Sequence, residues 1–415
     1  MDLGKYSFGV GDRFGHQGAA QLNAIIQAQA QNVNITPVWN KSHREHTIIK
    51  TVPADVRAEA DAAVKALGWD KAYFVDADHI GLKNVDMFID SSDFFTLDVA
   101  DFIGQPADEN DKKAFVYKYQ RYVGLLNVAG IDEGLSITTE QIGKIADKFL
   151  TAVKAAGKIY RHIAAAKPQG DFITEVSMDE TDQPQSPVEM LFILAAIADE
   201  GIPGRTIAPK FTGRFNKGVD YVGDVSRFSR EFEEDLAVID FAVAEFGLPQ
   251  SLKLSIHSGS DKFSIYKPIN AALKKFDAGL HIKTAGTTWL EELIGLASAG
   301  GDGLKTAKKV YRLALSRFDE LCGPYATVID INKDALPTPE KVDGWDSEEF
   351  ANTLRHNQSC ESYDHNFRQL LHVGYKIAAE MNAEYLGALE KHKDVIAQNV
   401  TENIYERHIK PIFIA

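Results

Sequence analysis

Three histidines lie at or near the ends of apolar segments that have β-strand propensity. The segments AYFVDADHIG, KLSIHSGSDK and GLHIKTAGTTW carry His79, His257 and His281, in this order. In α/β enzymes the carboxyl ends of the strands hold the reactive groups, so these side chains are expected to meet. Imidazole is a common ligand of divalent metal ions. The pattern predicts one metal-centred site, which we interpret as a site for a sugar.

The Asp-His pair of the first segment could combine metal binding with proton transfer. Asp76 and Asp78 share one face of the strand and His79 points to the other, because side chains alternate. A turn at the rim of a barrel would aim both Asp78 and His79 at its mouth. His79 would then bind a divalent metal and Asp78 would transfer a proton. A loop-capping aspartate beside a surface histidine is the more frequent explanation of such a pair taken alone.

His257 is followed by small and polar residues that let backbone and hydroxyl groups approach a ligand. We expect Ser260, Asp261 and Lys262 to contact the substrate there. A buried histidine that is satisfied by a backbone carbonyl explains His257 equally well.

Two further segments could complete the set of metal ligands. His281 and Lys283 are two residues apart and share one face of their strand, although His281 could also be a core residue. Glu175 begins the acidic run EVSMDETD. A carboxylate from this run would give two histidines and an acid, a set that suits Zn²⁺, Mn²⁺ or Ni²⁺. A solvated acidic loop is the more frequent explanation of such a run.

A cluster of cations follows the sixth strand candidate, where the segment APKFTGRFNKG supplies Lys210, Arg214 and Lys217. In an acidic chain this cluster is the best candidate for binding a carboxylate or a phosphate. Arginine in particular matches the forked geometry of a carboxylate. A solvated surface loop is the alternative.

The composition excludes several classes of protein. A formal net charge of −14 over 415 residues, with no Lys/Arg run, argues against nucleic-acid binding. No apolar run approaches 18 residues and the amino terminus does not resemble a signal peptide, so no membrane association is expected. Two cysteines are too few for a disulfide framework, and we expect a cytoplasmic protein. P-loop, GxGxxG, GxSxG and HExxH motifs are absent, which argues against nucleotide-dependent chemistry and serine hydrolysis.

Eight strand candidates, most of them followed by a helix, predict a (β/α)8 TIM barrel, with an open doubly wound sheet as the alternative. They are Tyr6–Val10, Ile35–Val38, Ala72–Asp76, Phe94–Asp98, Phe172–Ser177, Thr206–Lys210, Leu252–His257 and Leu280–Lys283. A helical insertion is expected over about residues 109–167, after the fourth strand. We expect residues 1–300 to form the barrel and residues 301–415 a helical extension packed on it.

Five segments, in order across most of the chain, resemble the tagaturonate epimerase family: SFGVGDRFG, ITEVSMDET, APKFTGRFNKG, KLSIHSGSDK and HIKTAGTTWLEE. The resemblance implies an enzyme that interconverts tagaturonate and fructuronate at C4, with relatives that act on tagatose and fructose. It implies a small-molecule substrate and a divalent metal cofactor, zinc first and manganese, nickel or cobalt as alternatives. A homo-oligomer is compatible with it.

A more distant similarity to the class II, metal-dependent ketose aldolases implies roles for single residues. VDADHIG is similar to the aldolase element in which the aspartate is the acid/base and the histidine binds zinc. This similarity implies those roles for Asp78 and His79. KLSIHSGSDK is similar to the element that carries a second metal histidine, here His257.

The third metal ligand departs from the aldolase pattern, because Thr212 stands where the remaining aldolase histidine falls. We expect Glu175, which also receives a catalytic role, to be the third ligand, and His281 to be the second choice. The next aldolase strand ends in a polar substrate-binding run that HIKTAGTT matches in position. Lys283 and Thr287 are therefore expected to contact the substrate.

The implied chemistry is a retro-aldol and aldol sequence. The C2 ketone and an adjacent hydroxyl would chelate the metal, and Asp78 would remove the C4 hydroxyl proton so that the C3–C4 bond breaks. Rotation of the aldehyde before the bond re-forms inverts C4. Lys210 and Arg214 would hold the C6 carboxylate. Removal of a proton or hydride at C4 is the alternative, and it needs two groups on opposite faces of the ring.

Two other functions stay open at this point, a true aldolase and a non-catalytic aldolase-like helper subunit. The amino-terminal Asp12 and Arg13 could contact the substrate or only tie down the first strand.

Overall fold

The eight predicted strands form one closed barrel. The computed structural model describes residues 1–167, 172–179, 181 and 183–415. The described residues form ten strands: β1 Tyr6–Val10, β2 Ile35–Ser42, β3 Phe74–Ile80, β4 Phe94–Asp98, β5 Gly124–Leu126, β6 Leu135–Ile137, β7 Ile173–Ser177, β8 Thr206–Ala208, β9 Lys253–Ile256 and β10 Leu280–Lys283. Neighbouring barrel strands are parallel, in the order β1-β10-β9-β8-β7-β4-β3-β2. The closed ring confirms the (β/α)8 barrel and excludes the open sheet.

Helices follow most barrel strands and make up the carboxyl-terminal part of the chain. A three-residue 3-10 turn, Val85–Met87, is the only helical element between β3 and β4. The α-helices are α1 Gly18–Ala30, α2 His43–Ile49, α3 Pro53–Leu67, α4 Glu109–Tyr119, α5 Thr139–Ile145, α6 Thr151–Ala166, α7 Pro187–Asp199, α8 Val225–Phe246, α9 Phe263–Phe276, α10 Ala285–Ala299, α11 Gly301–Ser316, α12 Phe318–Cys322, α13 Pro339–Asp343, α14 Ser347–Leu354, α15 His365–Val373, α16 Tyr375–Met381, α17 Ala383–Lys391 and α18 Lys393–Glu402. A π-helical segment, Asn403–Ile414, ends the chain.

The interior of the barrel changes from apolar to polar along the strands. Val38, Phe74, Phe94 and Ile173 form one buried apolar cluster together with Leu3. Because side chains on one face of a strand repeat every two residues, the next inward positions on these strands are two residues further on. Those positions carry Asn40, Asp76, Thr96 and Glu175, all almost fully buried. A barrel core usually consists of branched apolar side chains, so a charged layer at the carboxyl ends of the strands indicates a site for chemistry.

Two segments differ from their predicted structure. The polar composition of NKSHREH predicts a loop, but this segment ends β2 and begins α2, which Ser42 and Glu45 start with a capping box. The insertion contains the antiparallel hairpin β5–β6 between its helices, where a helical insertion was expected. Thr138 caps the start of α5, since its side chain accepts a hydrogen bond from the Gln141 amide.

The helices after Gly300 pack against the barrel, and one buried arginine ties them to a strand-end loop. Arg368 donates hydrogen bonds to the Gly218 carbonyl at 2.5 Å, to the Leu354 carbonyl at 2.8 Å and to Asp261 Oδ2 at 3.0 Å. The side chains of Arg368 and Asp261 are fully buried. Within the described ranges, no helix combines the length and the apolar character that a membrane crossing requires.

Replacement of this arginine should destabilise the protein strongly. Arg368→Ala leaves the buried Asp261 carboxylate without its cation, so we expect the free energy of unfolding to fall by about 3–5 kcal/mol. Chemical denaturation measures the effect. Lys309→Ala is the control, because Lys309 pairs with Glu384 in a half-exposed salt bridge and should change little. An equal effect of the two substitutions would contradict a structural role for the buried pair.

A second prediction concerns Asp235 in α8, which is 1% exposed. Neither of its carboxylate oxygens has a hydrogen-bond partner in the described part of the chain. Burial, together with the nearby Glu231 and Glu234, raises the pKa of Asp235 well above its usual range. The folded state therefore holds a proton that the unfolded state releases, so this contribution to stability is present below about pH 4 and falls as the pH rises.

The neutral substitution Asp235→Asn should remove this pH dependence. We expect the free energy of unfolding to exceed that of the wild type by about 1–3 kcal/mol at pH 8 and to match it at pH 4. Denaturation curves at the two pH values test this, with Asp240→Asn, at an exposed position of the same helix, as the control. A gain of the same size at both pH values would refute the role of the proton.

Candidate active site

A cavity of about 320 Å³ opens at the carboxyl ends of the barrel strands, within the roughly 300–1,000 Å³ usual for small-molecule sites. Asp78, His79, His257 and Lys283 all line it, so two of the three histidines expected to meet do so, whereas His281 is not in the cavity wall. The carboxyl-terminal helices close the cavity with three further side chains: Tyr325, His372 and Tyr375.

A local irregularity of β3 aims two consecutive side chains at the cavity. The pairing of β3 with β4 shifts register between Ala77 and Ile80. His79 has a φ of 50°, a left-handed conformation that non-glycine residues adopt rarely and often at functional sites. Asp78 and His79 consequently both line the cavity, whereas a regular strand would send them to opposite faces. The predicted turn at the rim is confirmed.

Three side chains form a group that could hold a metal ion. His79, Asp179 and His257 each offer one ligand atom, and these atoms lie within 4.8 Å of one another. The rings of His79 and His257 are 5.1 Å apart, and Asp179 Oδ2 is 3.2 Å from His257 Nδ1. Two imidazoles and one carboxylate match the donor sets of zinc and of other first-row divalent metals.

Each histidine of this group is held through its other ring nitrogen by a carboxylate. His257 Nε2 is 2.7 Å from Glu175 Oε1, and His79 Nδ1 is 3.3 Å from Asp98 Oδ2. This leaves His257 Nδ1 and His79 Nε2 for a ligand. Metal-binding histidines regularly have such carboxylate partners, which fix the tautomer and the ring orientation. The residues present therefore fit a divalent metal.

The expected third ligands lie outside the group of three. Glu175 is fully buried one layer below and contacts His257 and Lys283. His281 is also fully buried, with Nδ1 2.9 Å from Ser7 Oγ and its ring against Phe94. Burial lowers the pKa of His281 to about 3, so it is a neutral core residue. The carboxylate of the group of three comes from Asp179, two residues beyond β7, and the identity of the third metal ligand stays a prediction.

Lys283 is the centre of the charged layer inside the barrel. Its ammonium nitrogen lies 2.7 Å from Asp76, 2.7 Å from Asp78, 2.9 Å from Glu175 and 2.6 Å from Thr96 Oγ1. One ammonium faces three carboxylates beside the two histidines, whose protonated rings balance part of the negative charge. A divalent cation bound to the deprotonated rings would balance it in their place.

In the same charged layer, the pKa values of Asp76 and Asp78 are shifted in opposite directions. Burial raises the pKa of Asp76 to about 7, although Lys283 opposes the shift. At Asp78 burial acts in the same direction, but Lys283, His79 and His257 outweigh it and hold the pKa well below its usual range. Asp78, which lines the cavity, is therefore ionised and available to accept a proton.

Without a metal, the pKa values of His79 and His257 are raised. Burial alone would lower their pKa values, but Asp78 raises the pKa of His79 to about 10 and Asp179 raises that of His257 to about 9. Metal binding would therefore release protons from these rings, as is general for histidine ligands.

The predicted cationic cluster lines a second cavity of about 390 Å³ that adjoins the first. Lys210 and Arg214 lie only in the second cavity, and Lys217 lines both. Arg214 is about half exposed and contacts Asp330 at 3.5 Å. The cluster is thus beside the metal group and separate from it.

Of the residues expected to contact the substrate after β9 and β10, Ser260 and Lys283 line the first cavity. Lys262 also lines it, but its ammonium donates to three backbone carbonyls, those of Asn216, Val219 and Ser260. It therefore holds two loops together.

Asp261 and Thr287 are not in the cavity wall. Asp261 binds Arg368, and Thr287 donates to Asn403 Oδ1 at 2.9 Å. Both tie the barrel to the carboxyl-terminal part of the chain, and their contact with the substrate stays a prediction.

Several residues of the site had no individual prediction. Asp179 lies in the acidic run that was singled out, whose other members Glu180 and Asp182 lie outside the described residues. Asp98 ends a predicted strand and could have been found there. Tyr325, His372 and Tyr375 gave no signal, because nothing in the sequence relates the carboxyl-terminal helices to the strand ends.

The amino-terminal residues Asp12 and Arg13, which could contact the substrate or only tie down the first strand, have different contacts. Asp12 accepts hydrogen bonds from the amides of Phe14, Gly15 and Gln17 and so shapes the turn. Arg13 lines the cavity, where it pairs with Glu45 and stacks on the ring of Tyr375 at 4.3 Å.

Comparison with known proteins agrees with this geometry. The family model of the tagaturonate epimerases, UxaE, matches residues 1–412. The tagaturonate/fructuronate epimerase of Thermotoga maritima is 27% identical over 419 residues, which cover 97% of this chain and 80% of that protein. Two crystal structures of the fructuronate-tagaturonate epimerase UxaE of Cohnella laeviribosi share the fold, with TM-scores of 0.81 and 0.79. Their identities are 23% and 22%, over 98% and 99% of this chain and 81% and 82% of those chains. Because the family model covers nearly the whole chain, the protein belongs to the tagaturonate epimerase family and is an isomerase.

Proposed function

We propose that the protein interconverts D-tagaturonate and D-fructuronate by epimerisation at C4, with a divalent metal as cofactor. The observation that carries the proposal is the meeting of His79, Asp179 and His257 with the ionised Asp78 in one cavity. Family membership and the names of the relatives from Thermotoga maritima and Cohnella laeviribosi support this choice of substrates.

His79, Asp179 and His257 would hold the metal, and zinc is our first choice because the donor set is two imidazoles and one carboxylate. When bound there, the metal would supply Lewis-acid polarisation of the substrate carbonyl. Glu175 and Asp98 keep the two imidazoles in the orientation and tautomer that metal binding needs.

Asp78 would be the proton acceptor. Its Oδ1 accepts a hydrogen bond from Lys283, which keeps the carboxylate ionised and fixes its position 3.9 Å from His79 Nε2. Removal of the C4 hydroxyl proton lets the C3–C4 bond break to an enediolate and an aldehyde. Rotation of the aldehyde before the bond re-forms inverts C4, and Asp78 then returns a proton.

The cationic second cavity would receive the carboxylate end of the substrate. Lys210 and Arg214 line it beside the metal group, and Lys217 spans the two cavities. A uronate differs from a ketohexose in this one anionic group, so the cluster favours the uronate.

The test of the function is incubation of the purified protein with fructuronate, with and without a chelator, followed by NMR of the products. We expect tagaturonate to appear with metal and to disappear from the products after chelation. Re-addition of zinc, manganese, nickel or cobalt to the chelated protein is the control for damage and ranks the metals. Accumulation of three-carbon fragments would indicate an aldolase instead, and no reaction with any metal would favour a non-catalytic subunit.

The identity of the third ligand is tested by metal content. Asp179→Ala removes a carboxylate of the group, and we expect the dialysed variant to retain little metal. Asp98→Asn only weakens the support of His79, so metal affinity should fall by about 10- to 100-fold. Competition with a chromophoric chelator measures both.

The exposed Asp277 is the matched control, and Asp277→Asn should bind metal like the wild type. Full metal occupancy in Asp179→Ala would refute Asp179 as a ligand.

A further inference from the structure

The carboxyl-terminal extension places one histidine at the catalytic cavity that the chemistry above does not use. His372, near the end of α15, is 5% exposed and lines the cavity. Among the residues that the structure describes, no side chain or backbone group forms a hydrogen bond with its ring. It is also outside the group of three that could hold a metal.

Each of the other buried histidines that the structure describes has a polar side chain or backbone group close to a ring nitrogen, which makes His372 an exception. His356 Nδ1 lies 3.5 Å from Asp261 Oδ1. His408 accepts from the Asp261 amide at 3.0 Å and lies 2.9 Å from the Asn403 carbonyl. His281 contacts Ser7. The ring of His372 instead lines the cavity, where a polar group takes its hydrogen-bond partner from water or from a ligand.

The backbone around His372 is shaped to admit its ring. A Cβ on Gly286 would collide with His372 Nε2, and a Cβ on Gly218 would lie 3.1 Å from Cδ2. Both glycines line the cavity, one after β10 and the other after β8. Gly218 also has a φ of 72°, a left-handed conformation that favours glycine. Both the backbone conformation and the lack of space for a Cβ therefore favour glycine at this position. The Gly218 carbonyl also binds Arg368, one turn earlier in α15, which fixes the helix against the loop.

The electrostatic surroundings keep this imidazole neutral. Burial, followed by the cations of Lys217 and Arg13, holds the pKa of His372 well below its usual range. A neutral imidazole has one donor and one acceptor nitrogen, which matches a hydroxyl group. A carboxylate would instead be bound by the neighbouring cations.

We propose that His372 is a substrate-binding residue of the epimerase, forming a hydrogen bond with a hydroxyl group of the bound sugar acid. The proposal rests on the proposed function and extends it, because the carboxyl-terminal extension then supplies a direct contact to the substrate. It also explains why the ring lacks a protein partner.

The experiment compares His372→Phe and His372→Gln with the wild type, using steady-state kinetics on fructuronate. Phenylalanine keeps a ring between the two glycines but has no polar atom, whereas the glutamine amide keeps a donor and an acceptor. We expect His372→Phe to lower kcat/KM by about 10- to 100-fold, mainly through KM, and His372→Gln to lose less. Metal content should equal that of the wild type in both variants.

The matched control is His365→Ala, since His365 is an exposed histidine of the same helix and lies outside both cavities. Thermal unfolding of each variant separates a loss of binding from a loss of fold. Wild-type activity in His372→Phe, or equal losses in His372→Phe and His372→Gln, would overturn the hydrogen-bonding role. A wild-type protein that does not convert fructuronate would refute the proposed function itself. An active wild type with an equally active His372→Phe variant would refute only the role of His372.

Discussion

The charged layer around Lys283 is the interaction on which the site depends. One buried ammonium is within 2.9 Å of three carboxylates that come from two other strands of the barrel. Loss of one member of a buried ion network leaves an unpaired charge and costs about 3–5 kcal/mol. The same lysine also helps to hold Asp78 ionised and contacts Glu175, which is 2.7 Å from His257 Nε2. One side chain therefore connects the interior of the barrel to the residues of the cavity.

The barrel and the carboxyl-terminal helices have different tasks in the site. The ends of the barrel strands supply the charged layer and the three side chains that could hold a metal, since parallel strands in a ring bring their carboxyl ends together. The extension supplies Tyr325, His372 and Tyr375 to the cavity wall. There Arg13 stacks on Tyr375, Arg44 lies 5.2 Å from the Tyr325 ring, and the two tyrosine hydroxyls are 3.1 Å apart. The buried pair of Arg368 and Asp261 keeps this wall in register with the strand-end loops.

The sequence predicted local structure well where periodicity and capping agree. All eight barrel strands were found. The ends of α3 carry clear local signals, because Pro53 begins the helix and Gly68 ends it in a left-handed conformation. The short helix α2 gave no such signal, because the polar segment NKSHREH, in which it begins, has no amphipathic pattern. The hairpin β5–β6 was missed because its three-residue strands are too short to show alternation.

The sequence by itself determined the barrel and the strand ends that carry Asp78, His79, His257 and Lys283, because period-two apolar runs fix both the strand and the face. Only the tertiary structure decided which side chains complete the site. Asp179 joins His79 and His257 in the group that could hold a metal, whereas alternation along β7 points Glu175 into the barrel, where it contacts His257 Nε2. His372 enters the cavity from a helix more than 80 residues beyond β10, and no local pattern encodes a contact that depends on how distant helices pack.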